Sequence, residues 1–265
     1  MSTALLLGLM IGAILGLTGA GGGILAVPAL MASMGWSLPQ AAPIALIAVA
    51  SGASVGTLEG LRQGLVRYRA ALLMAVCGAP FTPVGQHWAS LLPARLLTGL
   101  FAAIMLLVAL RMMLRRQQDH ADDLWLPGVG CIRQGTGRFV WTGPTALMLG
   151  SVGALTGFLS GLLGVGGGFI MVPLLQRLTE LSLRGVIATS LMVVALISSS
   201  GALVAWWHGR VEWTPFVAAF AGSVVIGMVV GRVLSRYLPI RTVQLSFAGV
   251  LLLVASRMLY LSLHG

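Results

Sequence analysis

The chain has 265 residues, 58% of them hydrophobic and only 8% charged, with a mean hydropathy of +0.99. That balance excludes a soluble globular protein and predicts an all-α polytopic membrane protein. The formal net charge is +10, and every basic residue is Arg. The arginines fall mainly between apolar runs, which reads as topology-setting loops at a lipid surface and excludes a nucleic-acid partner.

Apolar runs cover about 3–34, 41–61, 70–90 and 94–114, and after a polar segment about 145–175, 185–207, 214–235 and 239–261. Most fit one crossing of about 20 residues. The N-terminus has no basic stretch before its first apolar run, so it is expected to be a membrane segment and not a cleaved signal. The polar segment 115–144 holds His120, Asp122 and Asp123, but no second ligand cluster completes a metal site, and a cytoplasmic linker is expected there. No metal or cofactor is expected. Cys77 and Cys131 have neither metal nor disulfide spacing.

Shifting the chain by 145 residues superposes it on itself. Gly8, Gly12, Gly16 and Gly19 fall on Gly153, Gly157, Gly161 and Gly164; Gly21, Gly22 and Gly23 fall on Gly166, Gly167 and Gly168; Pro28 falls on Pro173. After one inserted residue, Leu92-Pro93 meets Leu238-Pro239 and Arg111-Met112 meets Arg257-Met258. The expected organisation is membrane repeat 1 over 1–114, the linker 115–144 and membrane repeat 2 over 145–265.

The first run of each half is too long for one simple span. It either crosses once, giving parallel repeats, or folds back at the glycines, giving inverted ones. The arginines favour the second. In the folded-back arrangement one side holds only Arg95, Arg210 and Arg257 and the other holds the remaining thirteen; with a single crossing the split is ten against six. Inverted repeats are expected, each with a glycine-broken first helix or hairpin and about three further spans, and with both termini outside the cytoplasm.

Glycines every fourth residue make a smooth helix face for close packing. The triplets Gly21-Gly22-Gly23 and Gly166-Gly167-Gly168 are different. Each glycine weakens a helix by roughly 1 kcal/mol relative to alanine, and a broken backbone within a bilayer must line a cavity or be bonded by protein. Bare N–H groups and a restarting helix would then offer a positive end to an anion at the repeat interface. Tight helix crossing alone would also use such glycines.

The paired motifs "GLTGAGGGILAVP" and "GLLGVGGGFIMVP" resemble those of the TauE/SafE sulfite exporter-like family, also called the toluene-sulfonate uptake permease group. The second-half "ATSL", Ala188 to Leu191, is similar too; the first half reads "PIAL" in its place. The resemblance implies a transporter of small anions such as sulfite, sulfonates or related organosulfur anions in the bacterial inner membrane, with an alternating-access site between the repeats. Thr189 and Ser190 join the six glycines as candidate substrate-binding residues, with Ser51, Ser54 and Ser198 as secondary candidates whose hydroxyls could donate to an oxyanion or bond to their own helix carbonyls. A non-transporting membrane subunit or scaffold is the alternative reading. A membrane enzyme is a third, disfavoured because no nucleophile–base pair or metal cluster is evident, so no catalytic residue is named. The expected partners are a small anionic substrate and the lipid bilayer; a homo-oligomer is compatible with the sequence.

Overall fold

The computed structural model describes residues 2–19, 22–114, 142–179, 181–211, 214–235, 237 and 240–264. Gly21 and nearly all of the linker, with His120, Asp122, Asp123 and Cys131, lie outside the described residues. Among those described there is no strand. There are eleven α-helices, α1 (Ser2–Thr18), α2 (Ala26–Met34), α3 (Leu38–Arg62), α4 (Tyr68–Gly78), α5 (Phe81–Leu91), α6 (Ala94–Leu114), α7 (Gly143–Leu163), α8 (Gly168–Leu178), α9 (Leu183–Trp207), α10 (Pro215–Leu234) and α11 (Ile240–His264). A short 3₁₀ turn, Gly22–Leu25, precedes α2. Among the described residues, five helices are long and apolar enough to cross a membrane. The all-α polytopic fold is therefore as expected.

The repeat positions recur in the elements. Helices α3 and α9 each span 25 residues and begin 145 positions apart. Each starts behind a serine. The Ser37 N–H donates to Gln40 Oε1 at 3.0 Å, and Ser182 Oγ accepts from the Gly185 N–H at 3.3 Å. The run 70–90, expected as one span, is instead split into α4 and α5. Pro80 lacks the N–H that would continue the ladder, and its ring crowds the carbonyl four residues back. Its counterpart in the other repeat is Ile226, and α10 is continuous there.

Each repeat's first helix lies on the other repeat. A methyl group on Gly12 would collide with the Val224 carbonyl, and one on Gly157 with the Gly78 carbonyl. Gly16 meets Met228 in the same way, and Gly161 meets Thr82. These partners are themselves 146 positions apart. So α1 runs parallel to α10, and α7 parallel to α4 and α5, at backbone contact that only glycine permits. Helices α3 and α9 cross in the middle and run antiparallel: Gly60 abuts Ala188, while Gly201 abuts Leu46. Helices α6 and α11 pack together. One buried core containing Leu15, Val49, Val165, Val194, Phe220 and Met228 draws on both repeats.

Candidate functional site

The opening motif of each repeat reverses the chain. Helix α1 ends at Thr18, and the Gly19 N–H still bonds to the Leu15 carbonyl at 2.8 Å, with φ at +84°. A Cβ on Gly22 would then lie 2.6 Å from Leu15 Cα. In a continuous helix those residues would stand about 10 Å apart. Likewise α7 is capped by Gly164 (φ +73°), and a Cβ on Gly167 would lie 2.8 Å from the Thr156 carbonyl oxygen, eleven residues earlier. Both long first runs therefore fold back at their glycines.

The backbone of the second break explains its composition. Gly164, Gly166 (φ +76°) and Gly167 (φ +67°) all occupy the left-handed region, which costs other residues roughly 1–2 kcal/mol each. Pro173 lies inside α8, whereas Pro28 falls in the first turn of α2, where its missing N–H is not needed.

The two breaks meet. A Cβ on Gly23 would stand 2.7 Å from the Val165 carbonyl oxygen and 3.3 Å from Val49. One on Gly166 would stand 3.0 Å from Val49, 3.1 Å from Val194 and 2.6 Å from Ser198 Oγ. Val49 and Val194 are repeat counterparts on α3 and α9, so the breaks face each other across the crossing of those helices.

Polar groups at this point are underused. Ser198 is fully buried, and its Oγ has no hydrogen-bond partner; the same holds for Ser160, in the last turn of α7 before the break. No described residue accepts a hydrogen bond from the N–H of Val165, Gly166, Gly167, Gly168 or Phe169. Helix α8 begins at Gly168, so the positive end of its dipole lies at this break. Buried donors without acceptors are costly, and an anion docking there would satisfy several at once.

The remaining candidate hydroxyls have partners within the protein. Thr189 Oγ1 accepts the Arg67 N–H at 3.1 Å, pinning the loop between α3 and α4 to α9. Ser190 Oγ donates to the Ile187 carbonyl at 2.9 Å. Both are buried, but they sit eight or nine residues before Ser198, about 13 Å along the helix. Ser51 and Ser54 bond to the Ala48 and Ala50 carbonyls at 2.8 and 2.7 Å. The structure thus places Gly166 against Ser198, leaves Ser51, Ser54 and Ser190 bonded to their own helix carbonyls, and engages Thr189 with the Arg67 N–H. Ser160 went unnoticed in the sequence because its counterpart is Leu15, so repeat matching passes over it. Among the described residues no cluster of His, Cys, Asp or Glu could hold a metal ion.

Two further contacts mark the ends of the α3–α9 pair. At the α3 C-terminal end, Arg232 Nε of α10 donates to Glu59 Oε2 at 2.8 Å. At the opposite end, Gln86 Nε2, the counterpart of Arg232, donates to the Gly201 carbonyl at 2.9 Å. Equivalent positions thus tie the two ends, one by charge and one without it.

Helices long and apolar enough to span, with two chain reversals buried face to face, define a polytopic membrane protein. The family model for the sulfite exporter TauE/SafE matches residues 4–258, and the chain belongs to that family. Its relatives include the probable membrane transporter protein YunE of Bacillus subtilis, 26% identical over 96% of this chain and 95% of that one. A probable membrane transporter protein of Xylella fastidiosa (strain Temecula1) is 30% identical over 82% of this chain and 78% of its own. The probable membrane transporter protein MamO of Magnetospirillum gryphiswaldense is 27% identical over 90% of this chain but only 42% of its own length. No solved structure matches. By family and relatives the chain is a multi-pass membrane transporter.

Proposed function

We propose that the facing breaks bind a small oxyanion and that the protein carries sulfite, sulfonates or related organosulfur anions by alternating access around that point. The observation that carries this reading is Ser198 Oγ, buried and unpartnered beside Gly166, next to a run of N–H groups that no described residue accepts from. Backbone amides and hydroxyls bind an oxyanion without a fixed positive charge, so the ligand can also leave. The family name supports organosulfur anions as the class.

The repeats are read as inverted. Antiparallel α3 and α9, which are sequence counterparts, support a two-fold axis in the membrane plane, and the thirteen-to-three split of arginines supports a cytoplasmic linker with both termini on the far side. The unlike ties at the two ends of α3 and α9 support alternating access, since one end can loosen while the other holds.

Purified protein in liposomes should take up radiolabelled sulfite or a sulfonate with saturation. Gly22→Leu and Gly167→Leu should abolish uptake while the protein still inserts. If the inserted wild-type protein moves none of these anions, or if both variants transport normally, the reading fails.

A further inference from the structure

The second break joins two helix ends of opposite polarity. Besides the start of α8, it contains the end of the 21-residue helix α7, where the negative pole of that dipole gathers. The Ser160 carbonyl accepts the Gly164 N–H at 2.8 Å. Beyond it, no described residue donates a hydrogen bond to the carbonyl of Gly161, Leu162, Leu163, Gly164 or Val165. The Val165 carbonyl is turned toward the other break, 2.7 Å from a Cβ built on Gly23. Gly23 and Gly166, on either side of it, both pack on Val49, near the middle of the 25-residue helix α3.

An independent observation marks the same place. Ser160 is fully buried and its Oγ has no partner. Ser51, Ser54, Ser190 and Ser200 each return to a carbonyl of their own helix; Ser160 does not. It lies one turn after Thr156 and so on the same face of α7. The chain reversal covers that face, since a Cβ on Gly167 would stand 2.8 Å from the Thr156 carbonyl oxygen. Residues 164–167 therefore close over Ser160. Ser198 Oγ, also buried and unpartnered, lies 2.6 Å from a Cβ on Gly166. The reversal thus carries unspent carbonyls between two unspent hydroxyls.

Hydroxyl and carbonyl oxygens without a carboxylate suit a hard monovalent cation. Divalent ions are held through carboxylates, and no Asp or Glu is among these residues. A proton needs a titratable side chain, and none of these residues has one. The oxyanion reading also lacks a counter-charge. It places a negative ion in the membrane interior, yet the breaks contain no arginine, and a buried charge without a partner is costly. A cation at the end of α7 would supply that partner. A hydroxyl donates through its hydrogen and accepts through its lone pairs, so Ser198 can face both ions.

We propose that the second break binds one sodium ion through Ser160 Oγ, Ser198 Oγ and the carbonyls at the end of α7, and that this ion is the counter-charge and coupling ion for the anion. The close packing of Gly166 on Ser198 favours sodium over the larger potassium ion. The first repeat offers no second site. Its counterparts of Ser160 and Ser198 are Leu15 and Ala53, both buried and without a polar side chain. One ion per chain is expected. The coupling role rests on the transport reading above; the ion site itself does not.

The test is thermal unfolding of the full chain in lipid nanodiscs with sodium, potassium or choline chloride at equal ionic strength, alongside liposome uptake of radiolabelled sulfite in the same salts. For a half-saturation of about 1 mM, sodium at about 100 mM should raise Tm by about 5 °C or more over choline. Potassium should raise it less, and the sodium dependence should fit one site. Ser160→Ala removes a buried hydroxyl that has no partner, so in choline it should melt no lower than the wild type. Its sodium half-saturation should rise about tenfold or more. Ser200→Ala, which removes a hydroxyl bonded within its own helix, should leave that value unchanged. Sulfite uptake by the wild type should fall about tenfold or more when choline replaces sodium. Equal Tm in the three salts overturns the proposal, as does equal stabilisation by sodium and potassium. So does a sodium response that Ser160→Ala retains in full. If sodium acts through Ser160 but liposomes take up no anion, the ion site stands and the transport reading falls. If uptake is robust and the same in choline, with no Ser160-dependent shift, only the ion site falls.

Discussion

Ser198→Ala should move stability and affinity in opposite directions. Ser198 Oγ is buried without a partner in the protein, and such a group costs about 1–3 kcal/mol relative to one that is bonded or removed. Deleting the oxygen should therefore stabilise the unliganded protein by about 1 kcal/mol, or about 2–4 °C in Tm for a chain of this size. If the hydroxyl donates to a bound oxyanion, its loss removes a bond to a charged group worth about 1.5–3 kcal/mol, a fall in affinity of roughly 10- to 150-fold. Thermal unfolding with and without sulfite, alongside the concentration dependence of liposome uptake, reads both quantities on one preparation. The variant should melt higher when empty, gain less from sulfite and need more sulfite for half-maximal uptake. A lower Tm with unchanged half-saturation would mean that the hydroxyl only packs, and would refute the reasoning that places the oxyanion beside Gly166.

Gly166→Ala and Gly209→Ala separate strain from crowding. Both positions have positive φ, +76° and +65°, and each should cost about 1–2 kcal/mol of stability by thermal melting. Only at Gly166 would the methyl also press on Ser198, Val49 and Val194, whereas Gly209 has nothing within 4 Å; uptake should be lost in the first variant and kept in the second. Glu59→Gln should loosen the end tied by Arg232. The pair is partly exposed, so its contribution is about 1 kcal/mol or less; in a background with Cys77 and Cys131 replaced by Ser, thiol labelling of Ile187→Cys from the arginine-rich side should rise by up to about fivefold, and an unchanged rate would argue against a gate there. In the same background Gln63→Cys and His208→Cys, both at exposed loop positions, should label from opposite sides of the membrane; labelling from one side would reject inverted repeats.

What could be read from the sequence was whatever glycine alone can do. The fourfold spacing of Gly8, Gly12 and Gly16 marked a contact face because no other residue allows the approach to Val224 and Met228. The triplets marked the chain reversals for the same reason, although glycine composition left open whether the run turned back. Hydroxyls were harder. A serine on a helix defaults to its own carbonyl, as Ser51, Ser54 and Ser190 do, and the sequence does not mark the exceptions. Ser198 and Ser160 are exceptions through the packing around them. Thr189 gained prominence from a resemblance, and its hydroxyl is engaged with the Arg67 backbone.

The exchange of first helices has a mechanical consequence. Helix α1 is seated on α10, and α7 on α4 and α5, with backbones too close to slide or part cheaply. The two halves of the chain are clasped like interlaced fingers and cannot swing as separate blocks. Any large motion must instead divide the molecule into mixed bodies, one built on α1 with α10 and the other on α7 with α4 and α5, so the moving parts follow a boundary other than the midpoint of the chain.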